Sequence, residues 1–466
     1  MATIEINKDY LTDRYAEPSR EVTPIETEHR RIATAIPAPE TRAVLEASRE
    51  LFAQVNLYQP PIVWERAEGY QVFDCAGNCW IDFTSTAVMT NAGHGHPAIR
   101  EAVREHAEKD MLAHFNFPTE QRVELARRLL ALCPAHMEKV YFWTSGSEAI
   151  ESAFRMARAW GVKRDAGKDH VLTHTRDFHG ITLAATQLSG ESAGKDWLAS
   201  PDSRIHHLPF PGPPEEETEI DGGAFFEESI ARLKSGGVAS GQVAAVIIET
   251  MQGWGAVPYP REYLLAMREW ADANDVLLVF DEIQTGFGRT GRMFGHEHYG
   301  VKADLICIGK GLSSSLPIAA VVGSGEVLDC LPLGSVTTTH AAHPLSCAAA
   351  LANLDVFDQE NLVAEAERKG RLVEPAMRKI QERFPKHIAR FTGKGLLWTF
   401  HVRNPGTGEL DPDLAAEWTW ATVQRGVMLF HTMRPSIKIC PPLIIPEEAL
   451  LEGIEVMGEA LESIIP

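Results

Sequence analysis

Three stretches of this chain run through apolar residues and then stop at a charge: Val243-Ala-Ala-Val-Ile-Ile-Glu249, Leu277-Leu-Val-Phe-Asp281 and Leu305-Ile-Cys-Ile-Gly-Lys310. A strand with one wet face alternates apolar and polar side chains, so an unbroken run belongs to a strand buried on both faces. That is the habit of parallel sheets covered by helices. The stretch 261–274 between the first two runs reads as a helix, and the alternation predicts an α/β core with a mostly parallel sheet and helices on both faces. Parallel strands present their C-terminal ends to ligands. Two carboxylates and a lysine at those ends therefore mark one candidate site.

Lys310 lies between Gly309 and Gly311, ahead of a small-residue loop and a second apolar strand that ends at Gly323. Partial desolvation there disfavours the ammonium form, whose unperturbed pKa is about 10.4, and frees the amine to attack carbonyls. The plainer alternative is a strand-end lysine that reaches into solvent. Asp281, closing its own apolar strand upstream, turns the balance toward a site.

Acidity and cysteine usage narrow the partners and the setting. Against 44 basic residues stand 64 acidic ones, a formal charge of −20 that repels nucleic acid and anionic membrane surfaces. Seven cysteines (75, 79, 133, 307, 330, 347 and 440) are odd in number and scattered, which fits reduced thiols in a cytoplasmic protein. The N-terminus lacks the apolar centre of a signal peptide, and no apolar run reaches the ~18 residues of a membrane span. His94 and His96 invite a metal reading, but their spacing and the want of a third ligand favour a turn and helix start, so no metal is expected.

Along the rest of the chain, residues 1–40 are polar and uneven and are expected to pack as an arm. A helix is expected over 41–55, with Val44, Leu45, Leu51 and Phe52 as its apolar positions, then a hairpin over 71–83 around Ala76-Gly-Asn78. Helices at 97–108 and 119–132 lead into a strand at 139–144, another strand follows at 171–175, and 208–226 reads as a surface loop. Beyond His343-Pro344 long helices at 345–357 and 361–384 replace the alternation, followed by a helix at 413–425, a strand at 436–440 and a helix at 447–463. The expected division is an arm and hairpin segment at 1–80 belonging to a smaller α+β domain, a large domain at 81–344, and the rest of the smaller domain at 345–466.

Two loops of the large domain carry chemistry. Ser145-Gly146-Ser147-Glu148 opens an alanine-rich helix directly after a strand, where free N–H groups and the helix dipole suit a phosphate. An ordinary serine cap with a first-turn glutamate is the alternative. Asp177-Phe178-His179-Gly180 follows the next strand. Two decoys fall away. Gly286-Phe-Gly-Arg-Thr-Gly291 has the G-x-G-x-x-G pattern of dinucleotide sites but no amphipathic helix after it, and Gly309-Lys310 lacks the first glycine and the Ser/Thr of a P-loop.

Ser145-Gly-Ser-Glu-Ala149, Phe178-His-Gly180, Asp281-Glu-Ile-Gln-Thr-Gly-Phe-Gly-Arg-Thr-Gly291 and Gly309-Lys-Gly-Leu312, in this order and spacing, resemble the class III (omega) aminotransferases. The resemblance runs from about residue 35 onward. It implies the fold type I architecture of pyridoxal-phosphate-dependent transferases and pyridoxal 5'-phosphate as cofactor. Lys310 would hold the cofactor through its amine and shuttle a proton; Asp281 would pair with the pyridine nitrogen; Phe178 would stack on the ring. Gln284 would donate to the phenolic oxygen, Gly146 and Ser147 would hold the phosphate, and Ser145 and His179 complete the cofactor set. The family's phosphate-binding threonine, contributed by a second subunit, corresponds to Thr339, although the Asn-Pro pair that follows it is here His343-Pro344. A homodimer, alone or doubled into a dimer of dimers, is thus expected.

The same resemblance sets expectations for substrate. Two family arginines that grip carboxylates are replaced by Ile181 and Lys438, and Glu249 is expected to pair with Lys438 when no substrate carboxylate is present. Val88, in the loop 84–90, joins this substrate set. The implied activity is transfer of an amino group from an amine or ω-amino acid to a 2-oxo acid such as pyruvate or 2-oxoglutarate by a ping-pong cycle. An aminomutase, racemase or decarboxylase would share the lysine, and an NAD-dependent dehydrogenase built on Gly286 to Gly291 is the rival from a different class.

Overall fold

The computed structural model describes residues 13–53, 58–190, 195–212 and 220–465. Seven strands form its central sheet in the spatial order Lys139–Trp143, Ala319–Gly323, Leu305–Ile308, Leu277–Asp281, Val243–Glu249, His170–His174, Ile205–Leu208. All neighbours run parallel except Ala319–Gly323, which is antiparallel to both of its partners. The reason is local: the loop carrying Lys310 joins Leu305–Ile308 to Ala319–Gly323 without a crossover helix, and only antiparallel strands accept so short a link.

The unbroken apolar runs are buried on both sides. Val246, Ile248, Leu278, Phe280, Ile306 and Ile308 belong to one core cluster, whereas Ala245, Ile247, Leu277, Val279, Leu305 and Cys307 belong to another. Helix Gly146–Arg164 covers the second face with Ala149, Ile150, Ala153, Met156 and Ala157. It lies so close that a Cβ on Gly161 would stand 2.2 Å from the Lys168 carbonyl oxygen and 2.7 Å from Ala244 Cβ. Glu249 and Asp281 continue the register of Ile247 and Val279, so both carboxylates leave the sheet on the side of that helix.

A three-stranded antiparallel sheet (Ile388–Lys394, Leu397–Val402, Ser436–Ile439) and the helices Leu362–Arg383, Pro412–Val423 and Glu447–Ile464 make up the C-terminal part. The N-terminal strands are stitched to it, since Val427–Met428 pairs with Cys79–Asp82 in the sheet that also holds Ile25–Glu26, Arg31–Ile32, Arg66–Glu68 and Gln71–Phe73. Among the described residues no helix is long and apolar enough to cross a membrane.

Local expectations meet mixed outcomes. The hairpin at 71–83 forms, with Asp74 Oδ1 accepting from the Ala76 and Asn78 N–H groups across the turn. His94 and His96 take separate partners: His94 Nε2 is 2.7 Å from Asp82 Oδ2, and His96 caps helix Pro97–Ala107 while meeting Glu360. The helix expected over 41–55 is Arg42–Leu51, and of its apolar positions only Leu45 is buried; residues 54 and 55 of that expectation lie outside the described residues. The loop expected over 208–226 runs into helix Gly222–Ser235, which Asp221 caps; two glycines at its start hid it, and 213–219 lie outside the described residues. Strand Ile205–Leu208 and the hairpin Met251–Gln252/Val257–Pro258 carried no sequence signal strong enough to be expected.

Candidate active site

Asp281 and Glu249 stand side by side as register partners at the ends of adjacent strands, and Cys307 is the partner of Asp281 on its other side. Asp281 Oδ1 accepts the Ile283 N–H at 3.0 Å and Oδ2 lies 2.8 Å from His179 Nδ1. The next carboxylate, Glu282, points the other way. It is consumed by the Gly295 and His296 N–H groups, the His296 ring and the Thr285 hydroxyl, and so fixes the loop that follows.

Lys310 projects from a turn with a left-handed backbone, φ +42°. A long side chain in that region stores strain, and such strain gathers at functional sites. The turn is over-determined by its surroundings: Asn353 Nδ2 donates to the Gly311 and Leu312 carbonyls, and Asn91 sits so close that a Cβ on Gly311 would be 2.4 Å from its Nδ2. Burial pushes the Lys310 pKa below the ordinary lysine value, and the carboxylates of Asp281 and Glu249 offset part of that push. An amine held this way is available as a base or nucleophile.

Helix Gly146–Arg164 starts beside Ile283, two residues past Asp281. A Cβ on Gly146 would lie 2.9 Å from Ile283 Cδ1, so glycine lets the helix start against the strand end. Ser145 is committed to a capping box with Glu148, the plainer of the two sequence alternatives. The N–H groups of Gly146 and Ser147, in the first turn, are of the kind every helix leaves without an internal partner. Ser147 Oγ accepts the Ile181 N–H at 3.2 Å, drawing the Gly180 turn onto the helix start; a Cβ on Gly180 would be 2.1 Å from that oxygen. Phe178, half-buried, packs edge-on against Trp254 with ring centroids 5.1 Å apart, and the Arg434 guanidinium lies 4.4 Å from the centre of the Trp254 ring.

The expected Glu249 to Lys438 pair does not form. Lys438, buried on strand Ser436–Ile439, donates instead to the Gly253 carbonyl (2.5 Å) and to Gln284 Oε1 (2.6 Å). Glu249 accepts the Phe178 N–H at 2.9 Å through Oε1. Burial, with the negative charges of Asp177 and Asp281 close by, pushes the Glu249 pKa up to about 8. A carboxyl that is mostly neutral at pH 7 offers little to an ammonium, so the lysine finds better acceptors in an amide and a carbonyl. The Gln284 oxygen is thereby taken, which leaves its NH2 group as the available donor. Gly253 makes room for all of this: a Cβ there would lie 2.3 Å from Glu249 Oε2 and 2.5 Å from Gln284 Nε2.

Three expected residues are not gathered into this group. Thr339 is exposed and Ile181 is 82% exposed, both on the outside of the chain. Val88 is buried among Met251, Ala256, Leu397 and Cys440, in a turn where Ser85, Thr86, Ala87 and Val88 are all left-handed. The Gly286–Gly291 decoy is a clamp: the buried Arg289 donates to the carbonyls of Leu396 and Pro441 and to Asn91 Oδ1 and Ser85 Oγ. Residues without an expected role stand behind the site. Asp177 and Thr173 meet His179, His174 and Tyr259 meet Asp177 in turn, and Asp177, placed directly before Phe-His-Gly, was the one visible signal.

This sheet edge holds an amine whose ammonium form is disfavoured by burial beside two acidic side chains, an arrangement suited to an enzyme that works on carbonyl groups. The chain belongs to the class III aminotransferase family, whose model, Aminotransferase class-III, matches residues 52–461. It is 31% identical over 410 residues to the probable 4-aminobutyrate aminotransferase of Bacillus subtilis, covering 85% of this chain and 92% of that protein. The leucine/methionine racemase of Thermococcus litoralis is 31% identical over 432 residues, 91% of this chain and 94% of the racemase. A thermostable (S)-enantioselective omega-transaminase from Thermomicrobium roseum has the same fold, with a TM-score of 0.83 at 28% identity over 93% of this chain and 100% of that one. The fold is thus that of fold type I transferases, and the chain is a class III aminotransferase.

Proposed function

We propose that this aminotransferase binds pyridoxal 5'-phosphate at the Lys310 edge and moves an amino group from a simple amine or a monocarboxylate ω-amino acid to a 2-oxo acid, pyruvate or 2-oxoglutarate, in a ping-pong cycle. The observation that carries the cofactor is the donor set itself: a desolvated lysine amine and a strand-end carboxylate backed by a histidine, with first-turn N–H groups on the helix that starts against that strand. Gly146 and Ser147 would hold the phosphate, Phe178 would pack on the ring, and Asp281 would face the ring nitrogen. Gln284, oriented by Lys438, would donate to the phenolic oxygen. Bound there, the cofactor supplies an aldehyde that an amine can attack and a ring that takes up electrons from the substrate carbon.

This chain's own groups do the rest. The Lys310 amine, whose protonated form burial disfavours, takes the proton from the substrate carbon and returns it at the other end of the cycle. Asp281 would set its carboxylate against the ring nitrogen and stabilise positive charge there. Among the described residues the buried Lys438 ammonium donates to two neutral acceptors, the Gly253 carbonyl and Gln284 Oε1, and a substrate carboxylate would give it an anionic one. Ile181, exposed and apolar, offers no second grip, which favours donors without a second carboxylate.

The exposed Thr339 supports a homodimer in which this residue completes the phosphate site of the partner. We place the protein in the cytoplasm on its seven free cysteines, five of them buried. A racemase remains the second reading, on the likeness to the Thermococcus litoralis enzyme. One experiment separates the two: a donor panel against pyruvate and 2-oxoglutarate, followed by absorbance of the bound cofactor. Loss of the cofactor's yellow colour on adding donor without acceptor, with new amino acid once acceptor is supplied, supports transamination. Racemisation of an amino acid with no need for a 2-oxo acid, and no loss of colour, overturns it.

A further inference from the structure

Behind Asp281 and the histidine that backs it lies a row of buried polar groups with no role in the chemistry above. His179, with no exposed side-chain surface, has Asp281 Oδ2 at 2.8 Å from Nδ1, and at Nε2 it meets Thr173 Oγ1 at 3.3 Å and Asp177 Oδ2 at 3.7 Å. The Thr173 hydroxyl has a single proton, and its shorter bond, 3.0 Å, goes to the Leu188 carbonyl, so toward His179 it presents a lone pair. Both ring nitrogens of His179 therefore face acceptors. A neutral imidazole would leave one nitrogen lone pair against oxygen lone pairs, a cost of the order a buried polar group suffers without a partner.

Asp177 is itself fixed. The Tyr259 hydroxyl donates to its Oδ1 at 3.1 Å, the Glu249 N–H to its Oδ2 at 3.3 Å, and His174 Nδ1 stands 3.5 Å from Oδ2. Since the Tyr259 proton goes to Asp177, its oxygen accepts from His174 Nδ1 at 3.0 Å, which leaves His174 Nε2 to accept from the Tyr263 hydroxyl at 2.7 Å. The Tyr259 hydroxyl and the Glu249 N–H thus point at Asp177, and the two His179 nitrogens face Asp281 and Asp177. We propose that Asp177 is a positioning residue: it holds His179 as an imidazolium, and that fixed positive charge anchors the Asp281 carboxylate at the sheet edge.

Burial lowers the affinity of His179 for a second proton, but the hydrogen bonds and charges of Asp177 and Asp281 outweigh it and push the pKa up to about 10. Burial likewise raises Asp177, and the bonds from His174 and His179 more than reverse it, leaving the carboxyl below its ordinary value. Of the charged groups around His179, Asp281 comes from the Leu277–Asp281 strand, Asp177 from the same loop, and Glu249 from the Val243–Glu249 strand. Because Glu249 is pushed up to about 8, it adds no full negative charge at neutral pH.

The role of Asp177 in turnover rests on the reading that Asp281 faces the cofactor nitrogen; the proton count on His179 does not. Neutron diffraction of the whole cofactor-loaded protein at pD 8 should show deuterium on both nitrogens of His179. A single deuteron overturns the proposal, whether or not any variant folds. In Asp177→Asn, the 15N resonances of His179 should titrate between about pH 6 and 9 where the parent shows no change. Turnover should fall roughly 10- to 100-fold, the scale on which outer partners of a site act, with its pH profile shifted and the acceptor KM nearly constant. An unchanged pH profile and turnover in that variant would also overturn it. A protein that transfers no amino group yet shows both deuterons would sink the proposed function alone.

Discussion

Asp281 and Glu249 are neighbours in register on the same face of the same sheet edge, yet they end in opposite circumstances. Asp281 receives a backbone N–H and the His179 ring, donors that suit a carboxylate. Glu249 receives one N–H, from Phe178, and lies near two other carboxylates in a buried setting, which favours its protonated form. The two lysines repeat the contrast. Lys310 ends near carboxylates in a strained turn, whereas Lys438 is tied to a carbonyl and an amide. What differs is the set of donors and charges behind each group, not residue type or depth.

The contrast breaks most sharply at Lys310. Lys310→Ala should lower turnover by at least about 10⁴-fold, the upper range for a positioned proton-transfer group, while cofactor still binds without a covalent link. Turnover near that of the parent would mean the reacting amine lies elsewhere. Asp281→Asn should keep the fold and most cofactor but slow proton abstraction by roughly 10²- to 10³-fold. Single-turnover rates within tenfold of the parent would remove the distinction between the two carboxylates.

Lys438→Met should raise the KM for the 2-oxo acid about tenfold or more while leaving that of a neutral amine donor nearly unchanged. A parallel rise in both would show that Lys438 acts only by orienting Gln284. The smallest effect belongs to Glu249. Because glutamine mimics a protonated carboxyl, Glu249→Gln should hold turnover at pH 7 within about threefold. A loss comparable to that of Asp281→Asn would mean Glu249 works as an anion after all.

Stability against pH tests the same assignment. From pH 6.5 to about 10 the folded His179 keeps a proton that an unfolded imidazole has lost, and from pH 4.5 to about 8 the folded Glu249 keeps one that an unfolded carboxylate has lost. The folded state binds more protons in both windows, so these groups make stability fall as pH rises, most steeply where the windows overlap between 6.5 and 8. Calorimetry should show a melting temperature that declines over that interval, and a shallower decline in Glu249→Gln. Equal slopes in both proteins would contradict a raised Glu249.

Much of the architecture was legible from residue order. An unbroken apolar strand admits only a two-faced burial, so the sheet, its covering helices and the placement of Asp281 and Lys310 at strand ends could be read without coordinates. The Ser145 to Ser147 helix start and the hairpin at 71–83 were equally plain, because caps and turns are local. Helix Gly222–Ser235 and the hairpin bearing Gly253 and Trp254 were missed where glycines and short length erase periodicity.

Residue order alone determined which side chains arrive at the sheet edge, because the period of a strand and the caps of a helix involve neighbours a few positions apart. The tertiary structure alone decided what those side chains are once there. His179 meets Asp281 across 102 positions, Asp177 meets the Glu249 N–H across 72, and Lys438 meets Gln284 across 154. A charge state is set by the sum of desolvation and nearby charges in space. Neither can be read from the order of residues, so the expected Glu249 to Lys438 pair gave way to a neutral carboxyl on one side and an amide-bound lysine on the other.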